Sequence, residues 1–151
     1  MNAEELVSDF GKRIGVELAL DDNACAFEAD GLAVMINYFQ ELEAFVLTGD
    51  LGEPPPEHLE GLFKMLLVAN HLFTGTAGAT LALNQDTGRV SICRTLPLAL
   101  LDGNSFYAQV ERFVNMSETW IRLVFDYRGA AASAPAEEDS HAFVGNGFMQ
   151  V

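Results

Sequence analysis

The stretch Pro54-Pro-Pro-Glu-His-Leu-Glu-Gly-Leu-Phe-Lys-Met-Leu-Leu-Val-Ala-Asn70, running on to Phe73, sets the terms on which the rest of the chain can fold. Three prolines close off what precedes it. Glu57 and Glu60 place acid where a helix N-terminus favours it, and the apolar residues follow at helical spacing. A helix is therefore predicted over residues 57–73. On its wheel Leu59, Leu62, Phe63, Leu66 and Phe73 form one apolar stripe, while Met65, Val68 and Leu72 form a second on another side. One sheet covers one stripe, so the second requires a further partner.

Upstream, Leu6, Phe10 and Ile14 recur at i, i+4 and i+8 with Val7 beside them, which predicts a short amphipathic helix over residues 2–14 ending near Gly15. Leu18-Ala-Leu20 reads as the start of a strand or a docked connection, and Asp21-Asp-Asn23 as a turn. Cys25, Phe27 and Ala29 then alternate with Ala26, Glu28 and Asp30. Asp30-Gly31 is a hairpin signal before the apolar run 32–39, so two antiparallel strands are expected. A polar break at 40–43 precedes a third strand over 44–48, which ends in Gly49-Asp-Leu-Gly52.

Downstream of the central helix, the Gly-rich segment 74–78 reads as a flexible loop, and residues 79–83 and 89–94 as a hairpin about the turn Asn84-Gln-Asp-Thr-Gly88. Pro97 and Asp102-Gly-Asn104 punctuate the passage to a last helix of about 20 residues. Phe106, Val110, Phe113, Ser117, Trp120 or Ile121, and Val124 are predicted to share one face of it. The order α-β-β-β-α-β-β-α, joined mostly by hairpins, gives an α+β fold: a mostly antiparallel five-stranded sheet with three helices. Residues 1–127 form one domain. Residues 128–151 are Ala-rich and acidic, and are expected to be a disordered tail with Phe143, Val144, Phe148 and Met149 near its end.

Composition narrows the function. A chain of 151 residues, half of them apolar and 11 of them Phe, has enough material for a real core. A formal charge of -14 repels phosphate backbones and anionic lipid, and only 8 scattered Lys and Arg are present, so neither nucleic acid nor membrane is an expected partner. Cys25 and Cys93 stand alone, without the spacing of a metal or redox pair, and are expected to be buried thiols in a reducing compartment. The acidic start Met1-Asn-Ala-Glu-Glu-Leu lacks the features of a secretory signal, and no apolar run reaches the roughly 20 residues that span a bilayer, so a soluble cytoplasmic protein is expected.

A search for chemistry returns little. Gly75-Thr-Ala-Gly78 lacks the Lys-Ser/Thr ending of a phosphate loop and precedes a strand. His58, His71 and His141 have no ligand-spaced partner, and His71 is better explained as a cation at a helix C-terminus. The acidic pairs lie in turns or tail, and neither a nucleophile elbow nor a Cys-His signature occurs. No catalytic residue, cofactor site or metal site is assigned, and the chain reads as a non-enzyme. What remains is surplus apolar surface. A second copy of the central helix is the economical cover for its second stripe, giving a homodimer; the alternative is that both stripes are core within one monomer.

The order of elements and several local strings resemble the class I type III secretion chaperones, the Tir chaperone (CesT-like) family, over about residues 3–124. The strings are Leu18-Ala-Leu20 before an acidic turn, the strand pair about Asp30-Gly31, Leu51-Gly52 leading into prolines, and Leu66-Leu67-Val68-Ala69-Asn70. Gly78-Ala-Thr-Leu-Ala-Leu-Asn84, Gly88-Arg-Val, Leu96-Pro97 and the helix from Phe113 to Trp120 complete the likeness. The resemblance implies a cytoplasmic homodimer that binds the N-terminal chaperone-binding segment of a secreted effector and keeps it soluble and export-competent, without ATP hydrolysis. It implies Met65, Val68 and Leu72 at the dimer interface, and Leu6, Phe10, Val90 and Ile92 against the partner. The competing reading is a small dimeric module that binds a ligand or regulates, since α+β folds of this size also form pockets.

Overall fold

The computed structural model describes residues 1–128; the tail expected beyond Arg128 lies outside the described residues. Helix α1 (Ala3–Ile14) opens with a capping box, in which the Asn2 side chain accepts the Glu5 N–H at 2.8 Å and the Glu5 carboxylate accepts the Asn2 N–H at 2.9 Å. Two N–H groups that a helix start leaves open are thereby satisfied. Gly15, at φ 79°, closes the helix in the left-handed conformation that glycine adopts freely. Leu6, Phe10 and Ile14 do share one apolar face with Val7, and all four are buried. Residues 16–20 form no strand and run as a docked connection, with Leu18 and Leu20 half-buried.

Five strands make one sheet: β1 (Ala24–Ala29), β2 (Leu32–Phe39), β3 (Ala44–Gly52), β4 (Thr80–Leu83) and β5 (Val90–Pro97). Their order is β1-β2-β3-β5-β4, and every neighbouring pair is antiparallel. Asp30 at φ 48° and Gly31 at φ 83° supply the two positive angles of a type I′ turn, so the hairpin signal between β1 and β2 sets their register. Strand β3 runs further than expected, to Gly52, because a bulge between Asp50 and Gly52 lets it stay paired with β5.

Helix α3 (Gly103–Phe125) lies across one face of this sheet. Phe106, Val110, Phe113, Ser117, Trp120 and Val124 are each at most 1% exposed, so the predicted helical stripe is the core-facing one. The helix meets β3 where side chains are small: a Cβ placed on Gly49 would lie 3.5 Å from Ser117 Oγ and 3.2 Å from Ile92 Cγ2. Phe10 joins the layers. Its ring centroid is 5.3 Å from that of Phe27 and 5.7 Å from that of Phe106, which is in turn 4.9 Å from Phe45.

The central helix departs from expectation at both ends. Helix α2 spans Leu59–Asn70; His58 before it has φ 66° and no side-chain cap, so Glu57 lies outside the helix. Beyond Asn70 the chain turns through Leu72 at φ 53° and Phe73 at φ 57° instead of continuing helical to residue 73. The cause is local. The Gly75 N–H bonds the Ala69 carbonyl at 3.1 Å and the Asn70 side chain is committed to β4, so the chain must reverse within a few residues. The loop that follows is held, not free: Trp120 Nε1 donates to the Gly75 carbonyl at 2.9 Å, and Arg94 Nη1 to the Ala77 carbonyl at 3.0 Å.

Candidate partner-binding surfaces

The structure moves the expected partner residues inward. Leu6, Phe10, Val90 and Ile92 are 0–1% exposed, so all four are core and none is available to a partner in this fold. The physical reason is the pleat together with the aromatic cluster. Val90 and Ile92 sit on the same sheet face as Leu81 and Leu47, beneath α3, and Phe10 is enclosed by Phe27 and Phe106. Met65 is likewise inward, 7% exposed in a row with Leu62, Leu66 and Ala69, and is not available to a second subunit.

Val68 and Leu72 do face outward, at 55% and 79% exposure. Leu67 at 70% and Phe73 at 53% join them, so the apolar surface concentrates at the C-terminal end of α2. A continuous helical wheel puts Phe73 in the other stripe. The two left-handed residues after Asn70 swing it out of helical register, which no wheel drawn for a continuous helix predicts. Non-glycine residues in that region cost of order 1 kcal/mol or more each, and such costs gather at functional surfaces.

The two edges of the sheet are unlike. At the β4 edge, Asn70 Nδ2 donates to the Leu81 carbonyl and Asn70 Oδ1 accepts the Leu81 N–H, both at 2.9 Å, so a side-chain amide occupies the place of a neighbouring strand. At the β1 edge the turn-closing pair Ala29–Leu32 is hydrogen-bonded, and the alternation of an antiparallel ladder leaves the N–H and C=O groups of Ala26 and Glu28 pointing away from β2. Ala24 has its outward groups bonded to Asp21, at 2.9 and 3.0 Å. Among the described residues, no backbone partner reaches those of Ala26 or Glu28.

Next to that edge, the sheet face opposite α3 carries Ala26, Ala33, Met35, Thr48 and Ser91 as the walls of a shallow groove of about 340 Å³. Met35 is 50% exposed there. An ion pair, Arg89 Nε to Asp50 Oδ2 at 2.8 Å, stands at one end with Glu53 3.5 Å from the guanidinium. The hydrogen bond to Asp50 raises the Arg89 pKa above its ordinary value. A second cleft, of about 640 Å³, separates Glu4, Ser8 and Lys12 on α1 from the apolar side chains of Val16, Leu18 and Leu20. These residues were not picked out as sites from the sequence. The alternation of Ala26 and Glu28 with Phe27 was visible, but nothing in one sequence says which alternate set a helix will cover.

The cysteines are free and half-buried, not fully buried as expected; desolvation pushes the Cys25 thiol up to about 11 and raises that of Cys93. Among the described residues no cluster of His, Cys, Asp or Glu is arranged to hold a metal, and no helix is long and apolar enough to cross a membrane.

The domain is thus a helix-backed antiparallel sheet with one open edge, a solvent-facing second face and an apolar helix end. The chain belongs to the Tir chaperone protein (CesT) family, whose sequence profile matches residues 5–121. It is similar to a protein of Chlamydia pneumoniae, 28% identical over 127 residues that cover 78% of this chain and 92% of the relative. Among solved structures, a chain of the ExsC–ExsE complex superposes with a TM-score of 0.71 at 23% identity, covering 87% of this chain and 100% of that one. A chain of the HopA1–SchA chaperone–effector complex gives 0.64 at 21% identity, covering 82% and 92%. YbjN of E. coli, a proposed transcription regulator, shares the fold more distantly, with a TM-score of 0.51 at 18% identity over 80% of this chain and 86% of that one. Family and fold point to a non-enzymatic chaperone.

Proposed function

We propose that this chain works as a cytoplasmic homodimer that holds the N-terminal segment of a secreted effector in an extended, soluble and export-competent form without consuming ATP. The observation that carries the reading is the asymmetry of the sheet: the β4 edge is closed by Asn70, while Ala26 and Glu28 keep the β1 edge open beside an apolar groove. An extended client segment adds to such an edge through its backbone and places alternate side chains in the groove. This fits a client whose segment has little structure of its own. Affinity comes from apolar burial, at roughly 25 cal/mol per Å² before ordering costs, and no bond is broken that would call for a nucleotide.

The apolar end of α2, with Leu67, Val68, Leu72 and Phe73, supports pairing of two copies across a two-fold axis. The acidic remainder, at formal charge -14 for the chain, keeps a protein with exposed apolar surface in solution. Isolation of the tagged protein from its own cells, with and without apyrase, tests the proposal. The expected result is one larger protein, cross-linked to residues 24–35 through its N-terminal region and retained in both conditions. Recovery of a bound metabolite and no protein contradicts it.

A further inference from the structure

The chain carries a segment of its own whose chemistry suits the open edge. Residues 142–151 read Ala-Phe-Val-Gly-Asn-Gly-Phe-Met-Gln-Val, with no charged side chain and six apolar ones. Asn146-Gly147 between Phe143-Val144 and Phe148-Met149 is the sequence signal of a two-residue hairpin, the same device as Asp30-Gly31 between β1 and β2. A lone two-stranded hairpin is marginal in water and gains stability when a third strand completes it. The acidic, Ala-rich stretch before it, residues 129–141, has the composition of a solvated linker.

The reach is right. Tyr127, at the end of α3, is buried and stands against Gly61 of α2, where a Cβ would meet its Oη, and α2 packs on β4. The chain therefore leaves the fold on the β4 side. From there the β1 edge lies across four strand spacings, roughly 19 Å at about 4.8 Å each. Residues 129–141 number 13, and a random coil of that length spans about 20 Å on average and at most about 45 Å. A linker whose mean span matches the distance gives an effective concentration in the millimolar range.

We propose that residues 142–151 add to the β1 edge of their own chain, pairing with the outward backbone groups of Ala26 and Glu28 and laying Phe or Met side chains against Met35, and that a client must displace them. The idea rests on the client-binding reading of the same edge and adds regulation to it. The tail shields an aggregation-prone edge while no client is present. It also subtracts from the affinity of every client, so that only a segment that outcompetes it is held.

Hydrogen exchange of the full chain, followed by mass spectrometry, reads this directly, with Phe143→Asp/Phe148→Asp as the comparison. The substitutions lie outside the described fold, so the domain itself is not perturbed. The amides of Ala26 and Glu28 are expected to exchange at least ten times faster in the double variant, and a synthetic peptide of residues 140–151 added in trans is expected to restore their protection. Equal exchange in the two proteins overturns the proposal, as does a change confined to residues 67–73, which would place the tail on α2. No client enters this experiment, so its failure leaves the chaperone reading intact. Failure to recover a client while Ala26 and Glu28 remain tail-protected refutes the chaperone reading alone.

Discussion

Asn70 and Leu81 are joined by a two-way hydrogen bond, carboxamide to backbone, at 2.9 Å in each direction. A helix end is thereby tied to an edge strand, and the same contact forbids another strand from pairing at that position. Asn70→Ala is expected to lower stability by about 2 kcal/mol, the net worth of two part-buried hydrogen bonds. Asn70→Asp is expected to do worse, since it sets a carboxylate against the Leu81 carbonyl. Urea unfolding midpoints measure both, and an unchanged midpoint for Asn70→Ala would show that β4 is held by packing alone.

Phe10 lies at the junction of α1, β1 and α3. Phe10→Ala is expected to cost about 3–5 kcal/mol, as other buried aromatic truncations do. Thermal unfolding of the isolated protein registers the loss with no client present. A normal melting temperature together with weakened client capture would return Phe10 to the binding surface.

Gly11 packs α1 against the connection that follows it, where a Cβ would come within 2.8 Å of the Val16 carbonyl oxygen and 3.0 Å of the Leu18 N atom. Alanine is the better helix former by about 1 kcal/mol, but these neighbours are backbone and cannot swing aside. Gly11→Ala is therefore expected to destabilise the protein by about 1–2 kcal/mol net. A rise in stability would mean that residues 16–18 are free to move.

Burial pushes the Cys25 thiol up from its ordinary 9.0 to about 11. At pH 8 the thiolate fraction, and with it the alkylation rate, should be roughly 100-fold below that of an unhindered thiol. The stability sign follows: between pH 9 and 11 an unfolded chain loses this proton and the folded one keeps it, so stability falls as pH rises through that window. Timed iodoacetamide labelling checks the rate, and labelling of Cys25 as fast as free cysteine would contradict the burial.

The architecture was largely legible because local signals agreed with one another. The Asp30-Gly31 turn, the Gly15 stop and the period of Phe106, Val110 and Phe113 each act within a few residues. The surfaces were less legible because facing is a tertiary property. Leu6, Phe10, Val90 and Ile92 carry the apolar character of a docking site, and it is the placement of α1 and α3 that makes them core. Leu72 and Phe73 were displaced by a backbone reversal that depends on Asn70 finding Leu81, eleven residues away. Ala26 and Glu28 matter through backbone groups, and a backbone group has no letter in the sequence.

Pairing of two copies through α2 is separable from the core. Val68→Glu and Leu72→Glu change residues that are 55% and 79% exposed, so the monomer should fold normally. Analytical ultracentrifugation is expected to show a shift from dimer to monomer of at least tenfold in Kd for either variant. A dimer that survives both substitutions lies elsewhere on the molecule.

The most direct test of the central claim is the substitution Ala26→Pro. It removes an N–H that points away from β2 and so leaves the sheet intact, as proline on an edge strand does. Client retained by the wild-type protein in its own cells is compared with client retained by Ala26→Pro, at equal melting temperature. The account predicts at least a tenfold loss of client with the fold unchanged; equal retention by the two proteins would contradict it.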